Sequence, residues 1–156
     1  MEPTRDCRVF RYSKGGFLET NLTNRLKTIL VVDDRDDCRI TTKFFLNNFG
    51  YTVDTAKNAV EALSLFDAKL HDLVITDNSM PGMSGQEMAH VIKMRSSSTP
   101  IIMYTGLAPE NQLCLDLVIL RPTHLLVVKD AVEKMLGVPS KTNGGLAPVI
   151  PPATTA

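Results

Sequence analysis

The sequence predicts an α/β fold in which a parallel β-sheet is covered by helices on both faces. Short apolar runs rich in β-branched residues alternate with segments of helical period, as expected for buried parallel strands and their crossover helices. Three of these runs end in polar side chains, at Asp33–Asp34, Asp77 and Thr105. Parallel strands release such groups at one edge of the sheet, which is where ligands bind in this fold class.

The first strand and the first helix are predicted within residues 28–50. Residues 28–34 form an apolar run that ends in the two acids, and a helix follows as far as about Asn48. Gly50 is a stop signal for this helix. Its buried face is expected to carry Ile40, Phe44 and Phe45.

A short strand and a second helix are predicted next. Residues 51–55 alternate between apolar and polar side chains, which favours a strand at the edge of the sheet. Asn58 is the expected N-cap of the helix, with Glu61 in its first turn. The apolar stripe of this helix is expected to hold Ala59, Ala62, Leu63 and Phe66.

The third unit carries the strongest local signals. Residues 72–77 predict a buried strand that ends in an acid, and Pro81–Gly82 marks the turn after it. Ser84 and Glu87 form a capping box, so a helix is expected to begin there. A fourth strand is predicted over residues 100–105. In the intervening helix Met88, Val91, Ile92 and Arg95 stand at helical spacing.

The fifth strand has two possible positions. Residues 117–120 form one apolar run, which ends at Arg121–Pro122, and residues 124–128 form another, which ends at Lys129. We favour the first position, because Thr123 can then cap a final helix with a continuous apolar face. That face consists of Leu125, Val128, Val132, Met135 and Leu136.

Composition divides the chain into three parts. Residues 1–26 are mildly basic and without period, and are expected to be a flexible N-terminal extension. Residues 27–136 form the predicted folded domain. Residues 137–156 are rich in proline and glycine and are expected to be a low-complexity tail.

Charge and cysteine content argue against several classes of protein. Lysine plus arginine and aspartate plus glutamate each number 17, so the formal net charge is +0 and no nucleic-acid or membrane partner is indicated. No apolar run approaches the roughly 20 residues that a membrane span requires. Cys7, Cys38 and Cys114 lack the spacing of metal ligands and fit a reducing cytoplasm.

The acids at the strand ends predict a metal site. If the strands are parallel, Asp33, Asp34 and Asp77 converge, and carboxylates held together must attract a cation or raise a pKa. Hard oxygen ligands favour Mg²⁺. A divalent cation beside a free carboxylate suits phosphoryl transfer, with Asp77 as the nucleophile.

These residues resemble those of a known family. Asp33–Asp34, Asp77 with the segment 80–85, and Thr105 are similar in order and spacing to the receiver domain of two-component response regulators. The resemblance covers residues 27–136. It implies a doubly wound, flavodoxin-like fold with five parallel strands in the order 2-1-3-4-5.

The resemblance also implies a role for each site residue. Asp77 would accept the phosphoryl group, and Asp33 and Asp34 would hold Mg²⁺ or Mn²⁺, with Asp34 as the more direct ligand. The backbone carbonyl of Ser79 would complete the protein ligands. The hydroxyl of Thr105 would bond to the phosphoryl group.

The chain departs from the family pattern after Thr105. The family has a Lys-Pro pair after the fifth strand, whereas this chain offers Arg121–Pro122 or else Lys129. The segment between Thr105 and Arg121 is shorter than is usual, with room for only a short helix opened at Pro109. No aromatic residue occupies the expected place on the fifth strand, although Tyr104 stands beside Thr105. The connection, last strand and last helix are therefore expected to be atypical.

The sequence thus predicts a single-domain signalling switch that accepts a phosphoryl group from a histidine kinase or phosphotransfer protein and acts on an unknown downstream protein. Such a switch is not an enzyme, although it assists its own phosphorylation and dephosphorylation.

Two alternative functions stay open. A phosphohydrolase with an aspartate nucleophile would use similar groups, but it usually has a general acid where this chain has Ser79. A pseudo-receiver would bind partners without being phosphorylated.

Overall fold

The computed structural model describes residues 26–138, so the predicted N-terminal extension and C-terminal tail lie almost entirely outside the described residues. Within that range no helix has both the length and the apolar character needed to cross a membrane. The elements in chain order are β1 (Thr28–Val32), α1 (Asp36–Asn48), β2 (Thr52–Ala56), α2 (Ala59–Ala68), β3 (Leu73–Thr76), α3 (Gly85–Arg95), β4 (Ile101–Thr105), β5 (Leu117–Leu120) and α4 (Leu125–Leu136).

The strands form a single parallel sheet in the order β2-β1-β3-β4-β5, which confirms the predicted fold class. Every residue of β1, β3 and β4 is buried, because helices cover both of their faces. The edge strands β2 and β5 are only partly buried. Since β1 and β3 are neighbours, the residues that follow them emerge side by side.

Two apolar cores lie on opposite faces of the sheet. Ile29 and Val31 of β1 point toward α1 and α4, whereas Leu30 and Val32 point toward α2 and α3. This alternation is the period of a strand, and it makes each buried strand apolar along its whole length. The helical residues buried in the two cores include Leu46, Val128 and Val132 on one face, and Ala59, Ala62, Met88 and Ile92 on the other.

Two predicted helix starts are confirmed. The side chain of Asn58 accepts a hydrogen bond from the backbone N–H of Glu61 at 2.8 Å and so caps α2. Ser84 caps α3 through the N–H of Glu87, and the Glu87 carboxylate accepts in return from the N–H of Ser84 at 2.8 Å. Both caps satisfy N–H groups that a helix leaves without partners at its N-terminus.

The predicted buried face of α1 is largely wrong. Ile40 and Phe44 are 62% and 69% exposed, and only Phe45 of the three predicted residues packs against the core, while Thr42 and Leu46 are buried. In this rotation Leu46 packs against β1 and α4, and the Arg39 guanidinium donates to the carbonyl of Asp33 at 2.8 Å. The helical period was visible in the sequence, but the face that is buried depends on the packing of the whole domain.

The fifth strand occupies the favoured position at Leu117–Leu120 and pairs with β4, with Tyr104 opposite Ile119. The alternative strand at residues 124–128 is wrong, because these residues belong mainly to the first turn of α4. The predicted Thr123 cap is also wrong. The N-cap of α4 is His124, whose Nδ1 accepts from the N–H of Leu126 at 3.2 Å.

The connection between β4 and β5, residues 106–116, contains no helix, so the short helix expected at Pro109 does not form. Asp116 attaches the end of this connection to the sheet. Its carboxylate accepts from the N–H of Ile101 at 2.7 Å and from Lys93 Nζ at 2.8 Å. An open groove lies between the connection and α3, and Leu107 and Leu113 are exposed beside it.

Replacing Asp116 with alanine is expected to destabilise the fold. The N–H of Ile101 would lose its acceptor, and an unpaired buried donor costs about 1–3 kcal/mol. Urea unfolding followed by circular dichroism measures this free energy. Glu110→Ala, an exposed position on the same connection, is the control and should change stability by less than about 0.5 kcal/mol. Equal stability of the two variants would show that Asp116 does not hold the connection.

Candidate functional site

Three carboxylates meet at the edge of the sheet where β1 and β3 end. An oxygen of Asp33, one of Asp34 and one of Asp77 all lie within 4.8 Å of one another. Asp33 and Asp77 are only 3% and 6% exposed, whereas Asp34 is open to solvent. The structure therefore brings together the three acids that the sequence placed at neighbouring strand ends.

The backbone around Asp77 holds this residue in place. Its N–H donates to the carbonyl of Val32 on β1 at 2.9 Å, and its Oδ1 accepts from the N–H of Asn78 at 2.7 Å. Thr76 Oγ1 donates to the Asp77 carbonyl at 2.7 Å. One carboxylate oxygen is thus fixed by the chain itself, and the other, Oδ2, faces Arg121.

Gly85 allows α3 to approach this backbone. A Cβ atom at position 85 would lie 1.9 Å from the Asp77 carbonyl oxygen and 2.9 Å from Thr76 Oγ1. The N–H of Gly85 also donates to the carbonyl of Asn78 at 3.0 Å. Gly85 stood in the motif that follows Asp77, but the sequence by itself assigned no role to it.

Asp33 is held by two kinds of donor. Its Oδ1 accepts from the N–H of Arg35 at 2.9 Å, and its Oδ2 lies 2.5 Å from Arg121 Nη2. The bond from Arg39 to the Asp33 carbonyl further fixes the end of β1. Sequence reasoning missed Arg39, because nothing in the local pattern marks it.

Arg121 is the cation beside the acids. Its Nη1 lies 3.9 Å from Asp77 Oδ2 and 3.7 Å from Cys38 Sγ, and its Cζ lies 4.4 Å from the centre of the Tyr104 ring. Burial lowers the pKa of Arg121, but the hydrogen bond and charge of Asp33, followed by the charge of Asp77, outweigh burial and raise it. The peptide bond from Arg121 to Pro122 is cis.

Lys129, the alternative cation, is placed elsewhere. It lies on α4, where its ammonium pairs with Asp130 at 2.9 Å and with Glu133 at 3.0 Å. These two acids raise the pKa of Lys129 through hydrogen bonds and charge. Lys129 therefore belongs to an ion-pair group of its own helix.

The two other predicted site residues lie on the same edge of the sheet. Thr105 ends β4 and is fully buried, and its hydroxyl accepts from the N–H of Leu107 at 3.4 Å. Its carbonyl accepts from the N–H of Arg121 at 2.8 Å, which ties the ends of β4 and β5 together. Ser79 lies in the loop after Asp77 with an exposed side chain.

The donor set fits a hard divalent cation. Three carboxylates can each offer an oxygen within a space 4.8 Å across, and one guanidinium offsets only part of their charge. Oxygen donors with access to water are what Mg²⁺ and Mn²⁺ prefer. The exposed side of Asp34 provides that access.

Comparison with known proteins places these features in a family context. The family model described as "Response regulator receiver domain" matches residues 29–117. The sensor protein EvgS of Escherichia coli K12 is 39% identical over 85 residues, which are 54% of this chain and 7% of that protein. The sensor kinase/phosphatase LuxN of Vibrio campbellii is 34% identical over 59% of this chain and 11% of its own length. The chain therefore spans only a small part of these curated relatives.

Solved structures agree with this match. The response regulator TrrA of Thermotoga maritima, in complex with Mg²⁺ and BeF, has a TM-score of 0.68 and 36% identity, covering 71% of this chain and all of TrrA. A receiver domain from Methanospirillum hungatei has a TM-score of 0.70 and 28% identity, covering 72% of this chain and 95% of its own. TrrA also matches in its complex with the histidine kinase ThkA, with a TM-score of 0.66 over 71% of this chain and 99% of TrrA.

Replacing Gly85 with alanine is expected to displace Asp77. The added methyl cannot fit 1.9 Å from the Asp77 carbonyl oxygen, so α3 or the loop must shift, and such overpacking costs about 1–3 kcal/mol. Urea unfolding and the amide chemical shift of Asp77 report the two effects. The control is Gly106→Ala, where a Cβ would meet nothing within 4 Å. An unchanged Asp77 signal in the Gly85 variant would contradict the close approach.

Proposed function

The chain belongs to the family of response regulator receiver domains, and we propose that it acts as a phosphorylation-dependent switch in a two-component phosphorelay. Asp77 is the proposed phosphoacceptor. One observation carries the proposal: a buried carboxylate at a strand end, held by the backbone, faces two further carboxylates and a guanidinium. Such a set can take up a dianionic group only where cations offset its charge.

The proposed reaction moves the phosphoryl group from a histidine of the donor protein. An oxygen of Asp77 forms the new P–O bond while the P–N bond of the phosphohistidine breaks, and the imidazole nitrogen keeps the electron pair. Asp33, Asp34, Asp77 and the Ser79 carbonyl would hold Mg²⁺ or Mn²⁺. When bound, this ion offsets the charge between the carboxylates and the incoming phosphoryl oxygens.

Two further groups of the chain would hold the transferred phosphoryl group. The buried Thr105 hydroxyl can donate to a phosphoryl oxygen, because a hydroxyl rotates to suit its acceptor. The Arg121 guanidinium can do so through two N–H groups, as arginine often does with phosphate. Support for this role is the 3.9 Å separation between Arg121 Nη1 and Asp77 Oδ2.

We propose that α1 docks the phosphoryl donor. Ile40 and Phe44 lie one helical turn apart on the exposed side of α1, and this helix begins directly after the acid pair Asp33–Asp34. Exposed apolar side chains that are grouped together and rimmed by polar residues are a feature of protein contact sites. The Thermotoga complex of a regulator with a histidine kinase supports a donor of that class.

The proposal assigns the chain to the cytoplasm, where such donors and reduced cysteines occur. The net charge of +0 gives no reason to expect nucleic acid or a membrane surface as a partner. The protein is a phosphoacceptor that contributes to its own phosphorylation rather than an enzyme with a separate substrate.

The two alternatives receive less support. A phosphohydrolase of the aspartate type would need a general acid at position 79, and the serine there cannot serve as one at neutral pH. A pseudo-receiver would have no need for three carboxylates held within 4.8 Å of one another, since their repulsion costs stability.

Replacing Asp77 with asparagine is expected to abolish phosphorylation by acetyl phosphate and Mg²⁺, because the amide is not a nucleophile for phosphorus. Intact-mass spectrometry should find one added phosphoryl group on the wild type and none on the variant. Labelling of the wild type should also be lost when a chelator removes Mg²⁺. Asp37→Asn, an exposed acid outside the cluster, should be labelled normally. Full labelling of Asp77→Asn would falsify the assignment.

Phe44→Ala is expected to slow phosphoryl transfer from a histidine kinase by about tenfold, since an exposed interface anchor often contributes more than 1 kcal/mol. Labelling by acetyl phosphate should be unchanged, because that small donor needs no docking surface. Val60→Ala on α2, which is equally exposed, is the matched control. An equal loss with both donors would instead indicate damage to the acid site.

A further inference from the structure

Tyr104 contacts both the cation of the acid site and the segment that leads into α4. Its buried ring lies 4.4 Å from Arg121 Cζ, and its hydroxyl donates to the Thr123 carbonyl at 3.1 Å. Thr123 immediately precedes His124, the N-cap of α4. One side chain therefore links the Arg121 guanidinium to the backbone just before α4, in addition to the covalent path through Pro122.

The ring and two acids together set the position of Arg121. The guanidinium is 2.5 Å from Asp33 and 3.9 Å from Asp77, so Asp33 holds it more closely. Contact with an aromatic face adds an attraction that favours this position, and it is stronger where water is excluded. Arg121 Nε is buried and makes no hydrogen bond within residues 26–138, so ion pairs and ring contact rather than Nε orient the group.

The Tyr104 hydroxyl makes a hydrogen bond that packing of the ring in the core does not require. Tyr104 packs in the same cluster as Val128 and Val132 of α4, where a phenylalanine would supply the same ring. A buried hydroxyl costs free energy unless it is hydrogen-bonded, and here its acceptor is the backbone before α4. The hydroxyl thus ties the ring to the backbone immediately before the helix.

We propose that Tyr104 is a positioning residue that couples the location of Arg121 to the first turn of α4. This inference rests on the proposed phosphoacceptor function, because charge added at Asp77, or a cation taken up by Asp33, would draw Arg121 away from Asp33 toward Asp77. The ring contact and the bond to Thr123 then transmit that movement. Leu126 and Val127, which are 46% and 48% exposed on the first turn, are the surface that responds.

The coupling can be tested in the metal-free protein. Asp33→Asn weakens the ion pair that holds Arg121, and residue 33 is far from α4 in sequence. The response is the change that this substitution causes in the amide NMR shifts of residues 125–128. In a Tyr104→Leu background, which lacks both ring and hydroxyl, the response should be at least about threefold smaller, because coupled sites are non-additive. Tyr104→Phe keeps the ring and should give an intermediate response.

Tyr51→Phe is the matched control. Tyr51 is buried in the same apolar cluster as Tyr104 but precedes β2, at the edge of the sheet opposite Asp33, so its variant should leave the response of residues 125–128 to Asp33→Asn at the wild-type level. Should Tyr104→Leu fail to fold, a smaller response in Tyr104→Phe than in Tyr51→Phe supports the coupling by itself. Equal responses in the wild type and the Tyr104 variants overturn it.

A separate measurement decides the proposed function. Labelling of wild-type Asp77 by acetyl phosphate and Mg²⁺ does not depend on Tyr104, and the metal-free NMR comparison does not depend on labelling. If the wild type is not labelled but the shift changes of residues 125–128 are smaller in the Tyr104 variants, the coupling stands and the phosphoacceptor function is wrong. If the wild type is labelled but those shift changes are the same in the Tyr104 variants, the phosphoacceptor function stands and the coupling is wrong.

Discussion

Three like charges held within 4.8 Å of one another are the constraint on which the rest of this structure depends. Their repulsion is tolerable only where a cation and directed hydrogen bonds offset it. Arg121 supplies the cation, the N–H groups of Arg35 and Asn78 supply hydrogen bonds, and the exposed side of Asp34 gives access to water. The pairing of β1 with β3 enforces the arrangement, because it brings the ends of two buried strands side by side.

The β4–β5 connection explains much of what is particular to this chain. It crosses without a helix and leads into β5, a short edge strand whose first residue pairs with Ile102 and whose last pairs with Thr105. The residue that follows β5, Arg121, is thereby delivered to the acid cluster, and its backbone N–H is bound to the Thr105 carbonyl. The same short path leaves Leu107 and Leu113 exposed beside the groove along α3.

Family membership and individual character therefore lie in different parts of the fold. The match to receiver domains covers residues 29–117, which include the acids, Gly85 and Thr105. Beyond it come Arg121, which lies beside the acids, and Thr123, whose carbonyl accepts from the Tyr104 hydroxyl. The acid cluster therefore lies inside the matched range, whereas most of the chain path from β5 to the last helix lies outside it.

The sequence by itself determined the features that depend on neighbouring residues. Apolar β-branched runs located β1, β3 and β4, Asn58 and Ser84 located two helix starts, and the order of polar strand ends located the acid cluster. The sequence left two possible positions for the fifth strand, because residues 117–120 and residues 124–128 each form an apolar run. Only the tertiary structure decided the rotation of α1, which leaves Ile40 and Phe44 exposed, and the choice of Arg121 over Lys129 as the cation beside the acids. It also revealed the Tyr104 contacts. These features depend on residues far apart in the chain, and a local pattern of side chains carries no information about which distant groups will meet.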